Sequence, residues 1–225
     1  MPGTGEGRVP SGPQGVRLEA VKVASGEGRA WDALSGRDPQ EVAARACATY
    51  DGGAGLFKIR SFGQEFLVSP AERSVSSRSE QGAAILATPE YFFNLSVIWY
   101  LACARDVPLS GRLINPVHVK GGLIFAQGTH VLPLGALAER YGSDPEAFER
   151  HASCLGGSVV AGGDVAVQLW PFPRVPVVLA LWLADEEFPP RADLMFDASC
   201  DRHLPTDVLW SVSSMTVLLM LDETV

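Results

Sequence analysis

The stretch DVAVQLWPFPRVPVVLALWLADEEFPPRADLMFD, residues 164–197, decides the fold. It contains three β-rich runs, DVAVQLWPF (164–172), VPVVLALWLAD (175–185) and RADLMFD (191–197), joined by very short connections. A parallel crossover needs a dozen residues or more, so these runs can pair only as antiparallel neighbours. Val177 to Trp182 is almost wholly apolar, which predicts a central strand covered on both faces. LADEEFPPRAD is then a hairpin whose loop carries Asp185, Glu186 and Glu187 at the edge of the sheet, near a last helix from Pro205 to about Leu221.

Helices surround this core in the sequence. In SDPEAFERHASCLGG (143–157), Ser143 or Asp144 caps a helix that opens on Pro145 and Glu146 and stops at Gly156 and Gly157. LPLGALAERYG (132–142) starts at Pro133 and places Leu134, Leu137, Ala138 and Tyr141 on one face. TPEYFFNLSVIWYLACARD (88–106) is apolar nearly all round, with Thr88 as its expected cap. GRDPQEVAARACATY (36–50) is capped by Asp38 and runs to about Tyr50, and LFKIRSFGQEFLVSP (56–70) alternates as a β-hairpin turning at Gly63. The expected fold class is α+β, an antiparallel β-sheet packed against several α-helices in a single domain over 15–225. Residues 1–14, rich in Gly and Pro, read as a disordered tail, and the Ser-rich stretch 69–83 as an exposed linker.

Charge and cysteine usage narrow the function. The net charge is -8 with a pI near 5.0. Nucleic-acid affinity depends on Lys and Arg displacing counterions, so no nucleic-acid partner is expected. The apolar stretches near 95–104 and 209–221 are too short to cross a bilayer, and no secretory signal begins the chain. A cytoplasmic location is expected, with Cys47, Cys103, Cys154 and Cys200 reduced. They form no CxxC pair and no Cys/His ligand spacing, so no iron–sulfur cluster of its own is expected. GxGxxG, GxxxxGK[ST] and GxSxG are all absent.

The densest polar cluster is DASCDRHLP (197–205). Asp197 and Asp201, with Asp185, Glu186 and Glu187 from the hairpin loop, are hard oxygen donors of the kind that hold Mg, Mn or Fe, and His203 could join them. This set would support a divalent-metal-dependent hydrolase or lyase; a solvated turn before the last helix explains the same residues without a ligand. His203 and His130 each precede a helix-opening Leu-Pro, and either imidazole could be the axial ligand of a corrinoid cobalt or haem iron. Arg112 and Arg174 could hold an anionic group of a ligand or pair with the hairpin acids. Trp182 and Trp210 bracket the hairpin and could wall a planar cofactor pocket, although core packing also accounts for them.

PLSGRLINP (108–116), LPLGALAERYGSDPEAFERHASCLGG (132–157) and PFPRVPVVLALWLADEEFPPRADLMFDASCDRHLPTDVLW (171–210) resemble a prokaryotic family of unknown function found largely in anaerobic bacteria and archaea. The resemblance covers Pro108 to the C-terminus. Some members carry a four-cysteine iron–sulfur module ahead of the domain, whereas this chain has no cysteine before Cys47. The resemblance implies an accessory or binding protein of anaerobic metabolism that partners iron–sulfur or corrinoid proteins; it leaves the cofactor unknown, a corrinoid or haem-like group being one option. A protein-interaction module is the third reading.

Overall fold

The computed structural model describes residues 20–126 and 131–225, so the N-terminal tail and His130 lie outside the described residues. The decisive stretch forms the centre of a five-stranded antiparallel sheet. β5 (Leu113–Ile114), β6 (Ser158–Val160), β7 (Val165–Phe172), β8 (Val175–Trp182) and β9 (Arg191–Asp197) lie in the order β5-β9-β8-β7-β6. β8 is buried along nearly its whole length, as its composition requires. Val177, Leu179 and Leu181 enter the main core, while Ala166, Val178 and Ala180 are buried on the other face against Val160, Trp182 and Met195. The chain is an α+β protein, as expected.

A second sheet precedes it. β1 (Thr49–Asp51), β2 (Leu56–Ser61), β3 (Gln64–Ser69) and β4 (Ser74–Ser77) form an antiparallel meander in chain order. Phe57, Ile59 and Ser61 point inward while Lys58 and Arg60 alternate outward, which is the pattern of a half-buried strand. Tyr50 therefore belongs to β1 rather than to the helix before it. That helix, α2 (Pro39–Ala46), is capped by Asp38 and stops where Cys47 takes φ +50°.

The polar stretch 69–83 is not an exposed linker. Ser74 to Ser77 pairs with β3, and Ser79 caps α3 (Glu80–Ala87) by accepting from the Gly82 amide at 3.0 Å. Its serines spend their hydroxyls on turns and caps, which gives the segment structure without an apolar signature. Thr88 ends α3 instead of capping α4 (Glu90–Cys103), and its hydroxyl donates to Asp222. α1 (Ala20–Ser35) carries Ala30, Trp31 and Leu34 into the core beside α4. Its glycines, Gly26 and Gly28, hid it from a propensity-based reading.

α5 (Leu134–Tyr141), α6 (Pro145–Cys154) and α7 (Thr206–Leu221) cover the core face of the five-stranded sheet, α5 against β9 and both α6 and α7 against β7. α7 is buried nearly all round and holds Ser213 and Thr216 by bonds to the carbonyls four residues back, at 3.0 and 2.7 Å. Among the described residues no helix is long and apolar enough to cross a membrane.

The two sheets come into backbone contact at the β2–β3 turn. Phe62 (φ +45°) and Gly63 (φ +76°) form the two-residue turn between β2 and β3, a geometry that needs positive φ at both positions. The Phe62 amide donates to the Trp170 carbonyl at 2.9 Å, where the β7–β8 register slips between Leu169 and Phe172 and Pro171 has no N–H to offer. Gly63 lies against Gly156 (φ +68°), so closely that a Cβ on Gly156 would stand 2.7 Å from the Gly63 Cα. Gly156→Ala meets backbone there and is expected to cost about 1–3 kcal/mol. Gly135→Ala, with nothing within 4 Å of its Cβ, is expected to stabilise by roughly 0.4–1 kcal/mol. Urea unfolding of both variants checks the contrast.

Candidate functional site

Between the end of α4 and β5 the chain runs from Ala104 to Arg112 without regular structure, yet its backbone is held at several points. Asp197, at the end of β9, is the strongest. Its carboxylate, buried, accepts five hydrogen bonds: from the Ser110 amide and hydroxyl (both 2.9 Å), the Gly111 amide (2.8 Å), and the Ser199 amide (2.9 Å) and hydroxyl (2.7 Å). Burial alone would raise its pKa, but the donors from Ser199 and Ser110 outweigh that and hold it at about 2. The Ala198 amide adds a bond to the Arg112 carbonyl at 2.8 Å.

Arg174, in the turn between β7 and β8, makes the second anchor. Its Nε donates to the Arg45 carbonyl (2.8 Å), Nη1 to the Val107 carbonyl (3.0 Å) and Nη2 to Asp106 (2.6 Å). It does not meet the hairpin acids, as the sequence had allowed, because its turn lies at the opposite end of β8 from their loop. Beneath it the buried Tyr100 hydroxyl accepts from the Arg174 amide (3.2 Å) and donates to the Ala46 carbonyl (3.0 Å).

His203 is wholly buried and makes the third anchor, its Nδ1 accepting from the Arg105 amide at 3.5 Å. With Nδ1 as acceptor the neutral ring carries its proton on Nε2, which is buried and has no hydrogen-bond partner among the described residues. Burial, then Arg174, depress its pKa, Asp197 pulls the other way, and the ring titrates at about 4. The ring is wholly buried, so the structure does not present His203 at an open axial-ligand position.

The remaining expected residues do not come together. Asp185 closes its own turn by accepting from the Glu187 and Phe188 amides at 2.8 and 2.7 Å, while Glu186, Glu187 and Asp201 are exposed. Asp197 has its oxygens occupied. Among the described residues no three His, Cys, Asp or Glu side chains gather to hold a metal ion, so the hairpin acids, Asp197, Asp201 and His203 do not converge as the expected metal site requires. Arg112 is exposed and makes no ion pair among the described residues, its place fixed through its backbone. Trp182 stacks under Arg191 (4.0 Å) on the outer face of the sheet, whereas Trp210 meets Phe92 edge-on (5.5 Å) on the core side, so they wall no common pocket. Cys200 is buried and its thiol is pushed up to about 12, which leaves it no nucleophile.

The arrangement defines an α+β protein in which deeply placed polar side chains fix an exposed loop. A family model described as a domain of unknown function, DUF3786, matches residues 38–218, and the chain belongs to that family. No curated protein and no solved structure matches it.

Two acid transitions follow from the anchors. His203 is depressed from 6.5 to about 4, so stability present above pH 6.5 falls as pH drops toward 4, by about 3 kcal/mol. His203→Gln should flatten this part of a pH-dependent denaturation series. Asp197 contributes stability above its unfolded value of 3.8 that is lost as pH falls through about 2, on the order of 2 kcal/mol. Asp197→Ala, which strands several buried donors at neutral pH, is expected to cost about 3 kcal/mol or more and to raise amide exchange in residues 105–112.

Proposed function

We propose that the protein binds rather than catalyses, and that its recognition surface is the segment from Val107 to Leu113. One observation carries the reading: three hydrogen bonds from Ser110 and Gly111 to the buried Asp197 carboxylate fix a loop that presents Leu109 and Leu113, 38% and 42% exposed, with Arg112 between them. A loop ordered in advance does not lose that freedom again on binding, which favours affinity. Functional residues are commonly carried on loops positioned by a rigid scaffold. The partner we propose is an iron–sulfur or corrinoid protein of anaerobic metabolism, met in the cytoplasm, in keeping with the family resemblance of the sequence.

The reading is tested by affinity isolation from anaerobically grown native cells, with cobalt and iron analysis of what is recovered. A defined iron- or cobalt-containing partner is expected with the wild type and with Phe188→Asp, a control at another exposed apolar residue. It should be lost with Leu109→Asp/Leu113→Asp at unchanged thermal stability. Equal recovery by all three proteins, or a partner holding neither metal, overturns the proposal.

A further inference from the structure

One edge of the five-stranded sheet is open beside the loop that Asp197 holds. β5 pairs with β9 on one side, and no strand lies on its other side among the described residues. In the register Leu113↔Asp197 and Ile114↔Phe196, Arg112 stands opposite Ala198, and the Ala198 amide donates to the Arg112 carbonyl at 2.8 Å. Arg112 is therefore a hydrogen-bonded position of the antiparallel ladder, and Leu113, the next residue, is a non-hydrogen-bonded one. Backbone groups of successive residues in such a ladder point to opposite sides, so the Leu113 N–H and C=O are aimed away from β9 into the open edge. The Leu113 side chain is exposed beside them.

Neighbouring groups set the length and the charge of this edge. Gly111 spends its amide on Asp197, and the Asn115 carbonyl accepts from the His118 amide at 2.9 Å just before Pro116, which has no N–H. The opening is thus one residue long, which discourages the open-ended pairing that long edge strands invite. Its charge is positive, since Arg112 is the sole ionisable residue from 107 to 115; it is exposed and makes no ion pair among the described residues. The nearby carboxylates are committed, Asp106 to Arg174 and Asp197 to Ser110, Gly111 and Ser199. Successive side chains of a strand take opposite faces, so Arg112 and Leu113 offer a cation on one face and apolar surface on the other.

We propose that β5 receives an extended segment of the partner protein as an added antiparallel strand, with an apolar residue of that segment opposite Leu113 and an acidic residue next to it beside Arg112. This mode of binding rests on the docking role of residues 107–113 and deepens it. Main-chain bonds to Leu113 hold the segment in register, and the alternating side chains select it, as in strand addition generally. Because Asp197 already holds the loop, the edge needs no ordering before the segment arrives.

Fluorescence anisotropy of the full chain with a short labelled peptide in which Val and Glu alternate tests it, against a peptide of alternating Val and Lys. Saturable binding of the Val–Glu peptide is expected, with the Val–Lys peptide roughly fivefold weaker, and Arg112→Glu should reverse that preference. Leu113→Pro removes the outward N–H without touching the ladder to β9, and should bind the Val–Glu peptide roughly threefold to tenfold more weakly than Leu113→Ala, which keeps that N–H. On the peptide, N-methylation of the Val amides, which face Leu113, should abolish binding, whereas N-methylation of the Glu amides, which face solvent, should not; this pair decides if Leu113→Pro does not fold. Val159→Asp, at the exposed strand of the opposite edge, should bind as the wild type does. No saturation by the Val–Glu peptide, equal binding of both peptides, or indifference to which amides are methylated overturns the inference. A metal-containing partner recovered from cells and lost with Leu109→Asp/Leu113→Asp, together with no peptide binding, leaves docking standing and removes strand addition. Peptide binding as expected, with no such partner recovered, removes the iron–sulfur or corrinoid partner and leaves strand addition standing.

Discussion

A buried carboxylate that cannot be left without partners organises this corner of the molecule. Removing the Asp197 charge from water is costly, and the cost is offset only by donors that reach it in good geometry. Ser199 supplies two from the turn that follows β9, but Ser110 and Gly111 come from 87 and 86 residues away, so the carboxylate is satisfied only when the loop between α4 and β5 is in place. β5 then pairs with β9 at Leu113 and Ile114 and completes the sheet. Sheet edge, loop and the turn before α7 therefore form together.

The same economy governs the helix ends around it. Tyr100, Arg45 and Arg174 each direct a donor at a backbone carbonyl where α2 or α4 stops, at Ala46, Ala104 and Arg45 respectively. Cations near a helix C-terminus complement its negative end, so these residues stabilise the helices while crowding positive charge into one place. His203 responds to that crowding as well as to burial and remains neutral at physiological pH. The ring can then act as an acceptor for the Arg105 amide, which a protonated imidazole could not do.

Much of the fold was legible because its signals are local. The apolar run of β8, the Asp144–Pro145 opening of α6 and the alternation of β2 each declare an element within a few residues. α1 and α3 were not legible: glycines weaken the first, and the second opens on a serine cap inside a polar stretch that composition alone makes look like a linker. The candidate site divides in the same way. Asp197, Arg174 and His203 stood out as residue types, but their roles rest on Ser110, Val107 and Arg105, which are distant in sequence and carry no motif. A Ser-Gly pair at 110–111 and the Asp-x-Ser of 197–199 were the only local hints that a carboxylate might be gathering amides.

The hairpin acids show why residue type was a poor guide to metal chemistry. Asp185 folds its own loop, and Glu186 and Glu187 remain in water, where ionised carboxylates are already well solvated. A metal site needs carboxylates drawn together against their mutual repulsion, and the Asp-Glu-Glu run instead spreads its charge over an exposed turn. At the α2–α4 corner charges are instead drawn together: Arg45 and Arg174 are held by the carbonyls of Ala104 and Arg45 that they cap, and each faces a carboxylate, Glu41 for Arg45 and Asp106 for Arg174. Opposite charges gathered by backbone contacts need no metal between them, whereas like charges such as the hairpin acids stay apart in water.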